Sequence, residues 1–228
     1  MNSRERILAA ARGEAVDVLP VAPYMGNHAA RVAGDKLINY YTDAKHLAEC
    51  QLKTWETYGH DVLVSQSDNY YMAEAFGCKI RYHEESIPTV DEVALEKPAD
   101  IARLRRPDPT KDGRMPMYLE AVQLLKEAVG DEVAIRGCGT GPFVMAGHLF
   151  GPQKFLFELG MMEADDGGKG QAFLDLYDLI CDTLIEFATL QIEAGATIVQ
   201  CGDSLAFPGR DLPRHVRGGR AAVREAVF

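Results

Sequence analysis

The chain has 228 residues and carries 24 Lys and Arg against 34 Asp and Glu, a formal net charge of −10 with histidine neutral. That balance argues against nucleic-acid binding through a basic face. With 47% hydrophobic and 25% charged residues the composition is that of a globular protein with a sizeable core, and no apolar run approaches the roughly 18 residues that span a bilayer.

The opening segment MNSRERILAAARGEAVD places acidic residues where a signal peptide has its apolar stretch, so a cytoplasmic location is expected. Asn2 followed by Glu5 is a capping-box pattern, Ile7, Leu8 and Ala11 form a stripe, and Gly13 suits a helix end. Residues 16–24 (VDVLPVAPY) are apolar but interrupted by prolines, which predicts a first strand with irregular ends, followed by a loop GNHAAR. Asp43 can cap a helix over 44–58 that stops at Gly59, and DVLVS (61–65) reads as a buried second strand. A charged excursion runs to Pro109, with strand potential at 79–82 and a short helix at 98–104. The spacing then predicts a helix over 115–129, a third strand at 133–136, and a tight turn at GCGTG. Helices at 142–150, 152–159 and 171–194 and a fourth strand at 197–201 complete the pattern.

Apolar strands that alternate with helices indicate parallel βα units. Four such units use residues 1–204, so the expected fold class is α/β, with about the first four units of a (β/α)8 barrel. Residues 205–228 hold five arginines against Asp211 and Glu225, a local charge of +3, with Pro and Gly punctuation and no apolar period. The expected division is therefore a body at 1–204 and an unrelated tail at 205–228.

Reactive groups in such folds cluster at the carboxyl ends of strands. Those ends offer Asn27 and His28, then Ser67, Asp68 and Asn69, then Cys138, and then Cys201, Asp203 and Ser204, with His148 on the segment after the third strand. An acid, histidines, hydroxyls and thiols at one mouth suit proton transfer or metal binding. Each also has a plain structural reading. Asp68 and Asp203 can cap helices, the histidines can sit satisfied in the core, and Cys138 and Cys201 can be small buried hydrophobes. The five cysteines, with no C-x-x-C, are expected to be reduced thiols.

Four segments carry a resemblance. SRERILAAARGEAVDVLPVAP, SDNYYMAEAFGCKIRY, GTGPFVMAGHLFG and GATIVQCGDSLA resemble, in order, successive motifs of the uroporphyrinogen decarboxylase superfamily over about residues 2–206. The resemblance implies a (β/α)8 barrel and matches Asp68 to the decarboxylase's aspartate. True decarboxylases place arginines after the first strand to pair the carboxylates of their substrate. With Met25 aligned, Gly26 and Ala30 stand at those positions and Arg31 is one residue out. The segments GNHAARVAG and VSQSDNYYMAEAFGC look more like the corrinoid-dependent methyltransferase branch, whose members pass methyl from a methyl-corrinoid to a thiol or to a folate acceptor.

The resemblance implies a small-molecule substrate, a corrinoid-protein partner and, in thiol-methylating members, zinc held by H-x-C and a later cysteine. No H-x-C occurs in this sequence, so no metal ligand or cofactor is assigned to the chain, and as written it is expected to bind no stoichiometric zinc and to be inactive. Asp68 is the expected catalytic residue, with Asn27, His28, Ser67, Asn69, His148, Asp203 and Ser204 around substrate. Two other readings stay open: a uroporphyrinogen decarboxylase, and a non-catalytic fragment acting by association through exposed half-barrel edges. The tail reads as a frameshift product, because one back-translation with a single nucleotide deleted at codon 207 restores a continuation similar to the family's.

Overall fold

The computed structural model describes residues 1–161 and 167–206. Helix α1 (Ser3–Ala11) starts at the predicted capping box: Asn2 Oδ1 accepts from the Glu5 N–H at 2.8 Å, and the Glu5 carboxylate accepts from the Asn2 N–H at 3.0 Å. After it, 16–24 forms no strand. The prolines at 20 and 23 have no N–H to donate, and the segment is tied to the body by a reciprocal pair, Val21 N–H to Asp61 Oδ2 at 2.7 Å and Asp61 N–H to the Val21 carbonyl at 2.8 Å. Residues read as the loop GNHAAR instead turn into α2 (His28–Ala33), followed by α3 (Leu37–Thr42) and α4 (Ala44–Tyr58), the last capped by Asp43 as expected.

Strand β1 (Val62–Val64) and α5 (Tyr71–Ala75) lead into the excursion. There β2 (Lys79–Arg81) pairs antiparallel with β3 (Thr89–Glu92), and a 3-10 helix covers Pro98–Arg103. The segment TVDE gives little signal for β3, since Val90 alone is half-buried against the core and its neighbours are exposed. Then come α6 (Met115–Val129), β4 (Ala134–Thr140), α7 (Pro142–Phe150), α8 (Pro152–Gly160), α9 (Lys169–Glu193) and β5 (Ile198–Gly202). Strands β1, β4 and β5 form a parallel sheet in the order β1-β4-β5. Each crossover between them carries helices, the βα arrangement expected.

Strand alternation sorts the two faces. Leu63 and Ile135 pack with Ala48, Val122, Leu125 and Val129 of α4 and α6, while Val62, Val64 and Ala134 pack with Ile7 of α1 on the opposite face. A larger core lies among α3 and α5–α9, where Tyr40, Tyr41, Tyr71, Tyr118, Phe150, Phe155, Phe173 and Phe187 are fully buried. Burial of an apolar side chain of this size stabilises by about 1.5–3 kcal/mol. Leu205 and Ala206, placed in the tail by composition, pack against this core; the rest of the tail, from 207, lies outside the described residues.

The tight turn expected at GCGTG is corrected: 137–140 is strand, and the turn begins at Gly141. The glycines serve close approach. A Cβ on Gly137 would lie 2.6 Å from Gln191 Oε1, so the bare backbone lets the α9 glutamine reach β4. Gln191 there accepts from the Cys138 N–H at 2.7 Å and donates to the Cys138 carbonyl at 2.8 Å.

His60, between α4 and β1, is 2% exposed and neither ring nitrogen has a hydrogen-bond partner among the described residues. Burial pulls its pKa below the ordinary value, opposed by Asp61. The unfolded chain therefore takes up the proton first, near pH 6.5, and stability is lost as pH falls through and below that value. The melting temperature is expected to drop between pH 7.5 and 5.5, and less steeply in His60→Leu. An unchanged slope in that variant would remove His60 from the account.

Candidate functional site

The site is built at the carboxyl end of β1, where the chain stays buried from Ser65 to Asp68. Asp68 is held by a bidentate pair with Arg114, which precedes α6: Nη1 donates to Oδ2 at 2.6 Å and Nη2 to Oδ1 at 3.0 Å. The Ser67 hydroxyl donates to Oδ2 at 2.9 Å and the Tyr70 N–H to Oδ1 at 2.8 Å. Tyr118 shares a 2.5 Å hydrogen bond with Ser67. Arg114 also donates to Glu74 at 2.8 Å and to the Tyr41 carbonyl at 3.0 Å, and its guanidinium lies 5.3 Å from the centre of the Tyr82 ring. With 1% of its side chain exposed, Asp68 has both oxygens committed. The local-cap reading is partly realised through Tyr70, and the larger role is a buried charge pair. Burial and the Asp68 charge hold the Tyr118 phenol protonated, its pKa far above the ordinary value.

His148 reaches the same region from α7, with its ring 4.8 Å from that of Tyr70. Its Nδ1 is buried without a partner among the described residues. Burial lowers its pKa, opposed by the Asn69 backbone and Asp68, so the imidazole is neutral at pH 7 and can accept a hydrogen bond. Asn69 is exposed, and its Oδ1 accepts from Gln66 at 2.9 Å.

Asp203, after β5, accepts from the Val144 N–H at 2.8 Å and the Phe143 N–H at 3.4 Å. It therefore caps the earlier helix α7 across the sheet. Ser204 beside it is exposed. Asn27 has a buried Oδ1 with no partner among the described residues. His28 does not join the group. Because 28–33 folds as α2, His28 is exposed and stacks 6.4 Å from Tyr58, the last residue of α4, at the end that leads into the amino terminus of β1. The structure thus gathers Ser67, Asp68, Asn69 and His148, sets Asp203 and Ser204 on a nearby strand end, and separates His28.

Arg136 was not among the sequence candidates. It follows Ala134 by two residues on β4, so it shares the face opposite α4 and α6. Its Nη1 donates to Gln200 Oε1 and its Nη2 to Gln66 Oε1 at 3.4 Å, and its guanidinium lies 4.8 Å from the centre of the Tyr24 ring. A Cβ on Gly26, at φ +38°, would meet that ring at 2.9 Å, so glycine permits the packing. A charged residue inside the apolar run VAIRGC was the signal available in the sequence.

The thiols are poorly disposed for reaction. Burial raises Cys138 and Cys50 to about 12 and Cys78 and Cys181 to about 11, leaving them protonated at neutral pH. Among the described residues no three His, Cys, Asp or Glu side chains converge to hold a metal ion, and those present do not fit the zinc that the resemblance implies. No helix among the described residues is long and apolar enough to cross a membrane.

Comparison with known proteins agrees with this architecture. A methylated-thiol–coenzyme M methyltransferase of Methanosarcina mazei is 27% identical over 210 residues, covering 90% of this chain and 54% of that protein. A methylcobamide:CoM methyltransferase of Methanosarcina barkeri is 25% identical, with 90% and 59% covered, and a uroporphyrinogen decarboxylase of Myxococcus xanthus is 26% identical, with 88% and 58% covered. The chain spans little more than half the length of these curated relatives. A solved methyltransferase structure from Methanosarcina mazei superposes with a TM-score of 0.83 at 25% identity, over all of this chain and 67% of that one, so the sheet and helices form part of a TIM-barrel-like fold. The family model for uroporphyrinogen decarboxylase (URO-D) matches residues 2–209, and the chain belongs to that family.

Proposed function

We propose that the chain is part of an enzyme of the methyltransferase branch, moving methyl from a methyl-corrinoid, presented by a corrinoid protein, to a thiol or folate acceptor. The observation that carries this reading is the absence of substrate-pairing arginines after the first predicted strand. Ala30 is fully buried in α2 and Arg31 is exposed on that helix. A substrate with many carboxylates would need several bidentate arginines in a partly dry cleft. Relatives named as methyltransferases and as decarboxylases match at similar identity, so the choice rests on these residues.

In this reading Asp68 is a positioning residue. Its charge is neutralised by Arg114, and together they fix the segment 65–70 that carries Asn69 and the ring beneath His148. His148, neutral at pH 7, accepts a hydrogen bond from substrate, and Asn69 and Ser204 line the opening. The zinc of thiol-methylating members would have to come from segments other than those described. We also propose the boundary near 204 and the frameshift as the origin of the tail, which the nucleotide sequence around codon 207 tests directly.

The test uses the 228-residue chain and a form continued in the shifted frame, each given methylcobalamin with a thiol and, separately, uroporphyrinogen. Methylated thiol from the continued form is expected. Decarboxylated porphyrinogen with no methylated thiol would overturn the reading in favour of the decarboxylase. Among the described residues β1 and β5 pair on one side only, which favours self-association of the 228-residue chain. Light scattering is expected to find species larger than a monomer, and a sharp-melting monomer would contradict this.

A further inference from the structure

Arg114, which is buried, and Arg136, which is half-buried, are in opposite electrostatic situations. Arg114 is met by two carboxylates, Asp68 and Glu74. Arg136 has no carboxylate within ion-pair distance among the described residues, and only neutral oxygens of Gln200 and Gln66 meet it. A guanidinium has five N–H donors. Here two are used, and Nε is buried with no partner among the described residues. The side chain is half-buried, with one face covered by Tyr24. A positive charge partly withdrawn from water and met only by amide dipoles and an aromatic face, with no opposite charge, is costly, and an oxyanion on the free edge would supply both the missing charge and the missing acceptor.

The position defines what could reach it. Arg136 sits level with Val64 and Ile198 in the sheet register, four residues below Thr140 at the end of β4, or roughly 13 Å at about 3.3 Å per residue. It lies on the face opposite α4 and α6, the face that α1 meets through Ile7, beneath the end of the strands where Asn69 and His148 sit.

We propose that Arg136, with Gln66 and Gln200, is the recognition site for a single oxyanion group, carboxylate, sulfonate or phosphate, at the far end of a small-molecule substrate whose reacting end lies at the strand termini. This deepens the methyl-transfer reading and rests on it for the word substrate: the acceptor carries one anionic head, in contrast to a polycarboxylate. The anion site itself stands on the geometry of Arg136. One guanidinium serves one such group, and the two glutamines hold it in orientation without neutralising it.

The test is binding without any methyl donor, so that its failure is separable from failure of the methyl-transfer reading. The 228-residue chain is titrated with methanesulfonate, acetate and phosphate at constant ionic strength against a chloride control, following melting temperature and tyrosine fluorescence. A saturable rise in melting temperature is expected with at least one of the three, and the most effective anion identifies the head group. Arg136→Gln should weaken the apparent affinity at least about tenfold, since a charge-assisted hydrogen bond is involved. Gln200→Glu places a carboxylate at the guanidinium, so this variant should melt higher than the parent and lose the anion response. No saturable response in the parent beyond chloride, or an undiminished response in either variant, would overturn the proposal.

Discussion

Replacing Asp68 with asparagine is expected to destabilise the chain by about 3–5 kcal/mol, read as a fall in the urea midpoint. The isosteric change keeps an oxygen for the Tyr70 N–H, removes the charge, and replaces Oδ2 by an NH2 that faces the Arg114 and Ser67 donors. Arg114, 8% exposed, then keeps Glu74, which is itself 22% exposed, as its one carboxylate. The loss therefore measures a buried cation left with a single, partly exposed carboxylate. Removing both partners, as Asp68→Leu with Arg114→Leu, should recover much of the loss, because the carboxylate then left without its cation, Glu74, is partly exposed and keeps the Tyr82 hydroxyl as donor. A drop below about 1 kcal/mol in Asp68→Asn would place the pair among weak, solvated bridges and contradict its proposed positioning role.

Replacing Gln191 with leucine is expected to cost about 2–4 kcal/mol, since it strands two buried backbone groups at about 1–3 kcal/mol each. The Cys138 N–H and carbonyl both bond this one side chain, and both atoms are buried with it. Gln191 thus serves β4 as a strand neighbour would, from a helix. Gln191→Glu keeps the acceptor but not the donor and buries a carboxylate, so it should also destabilise. Urea unfolding of both variants checks this. A near-neutral Gln191→Leu would mean that water replaces the glutamine and that the clamp is not structural.

The elements with strong local signals were legible in the sequence. Asn2 and Glu5, Asp43 with Gly59, and the apolar period of 115–129 fixed three helices because capping and packing agree there. The first predicted strand was not, since apolar residues around prolines satisfy a strand pattern while Pro20 and Pro23 offer no N–H to a ladder, and Val21 between them bonds Asp61 instead. Strand β3 and the strand character of 137–140 were hidden for opposite reasons. Thr89–Glu92 offers a single apolar residue, Val90, and the glycines of β4 answer to α9 and β5, contacts far away in the chain.

The candidate site shows the same division. Ser67, Asp68 and Asn69 could be found because they follow a strand, and His148 through the motif that contains it. Arg114, which decides the state of Asp68, lies 46 residues away from it, and no local pattern links the two. His28 was misplaced because its segment was read as a loop at the mouth, whereas α2 carries it toward Tyr58. Arg136 was visible as a charge inside an apolar strand, but only the pairing with Gln66 and Gln200 gives it a meaning.

The central claim, methyl transfer to an acceptor with one anionic head, is tested most directly by following the visible spectrum of methylcobalamin with the frame-continued chain. Two thiols are compared, 2-mercaptoethanesulfonate and 2-mercaptoethanol. The account predicts protein-dependent loss of the methylcobalamin spectrum, faster with the sulfonate, and loss of that preference in Arg136→Gln. No demethylation with either thiol, together with turnover of uroporphyrinogen, would contradict it.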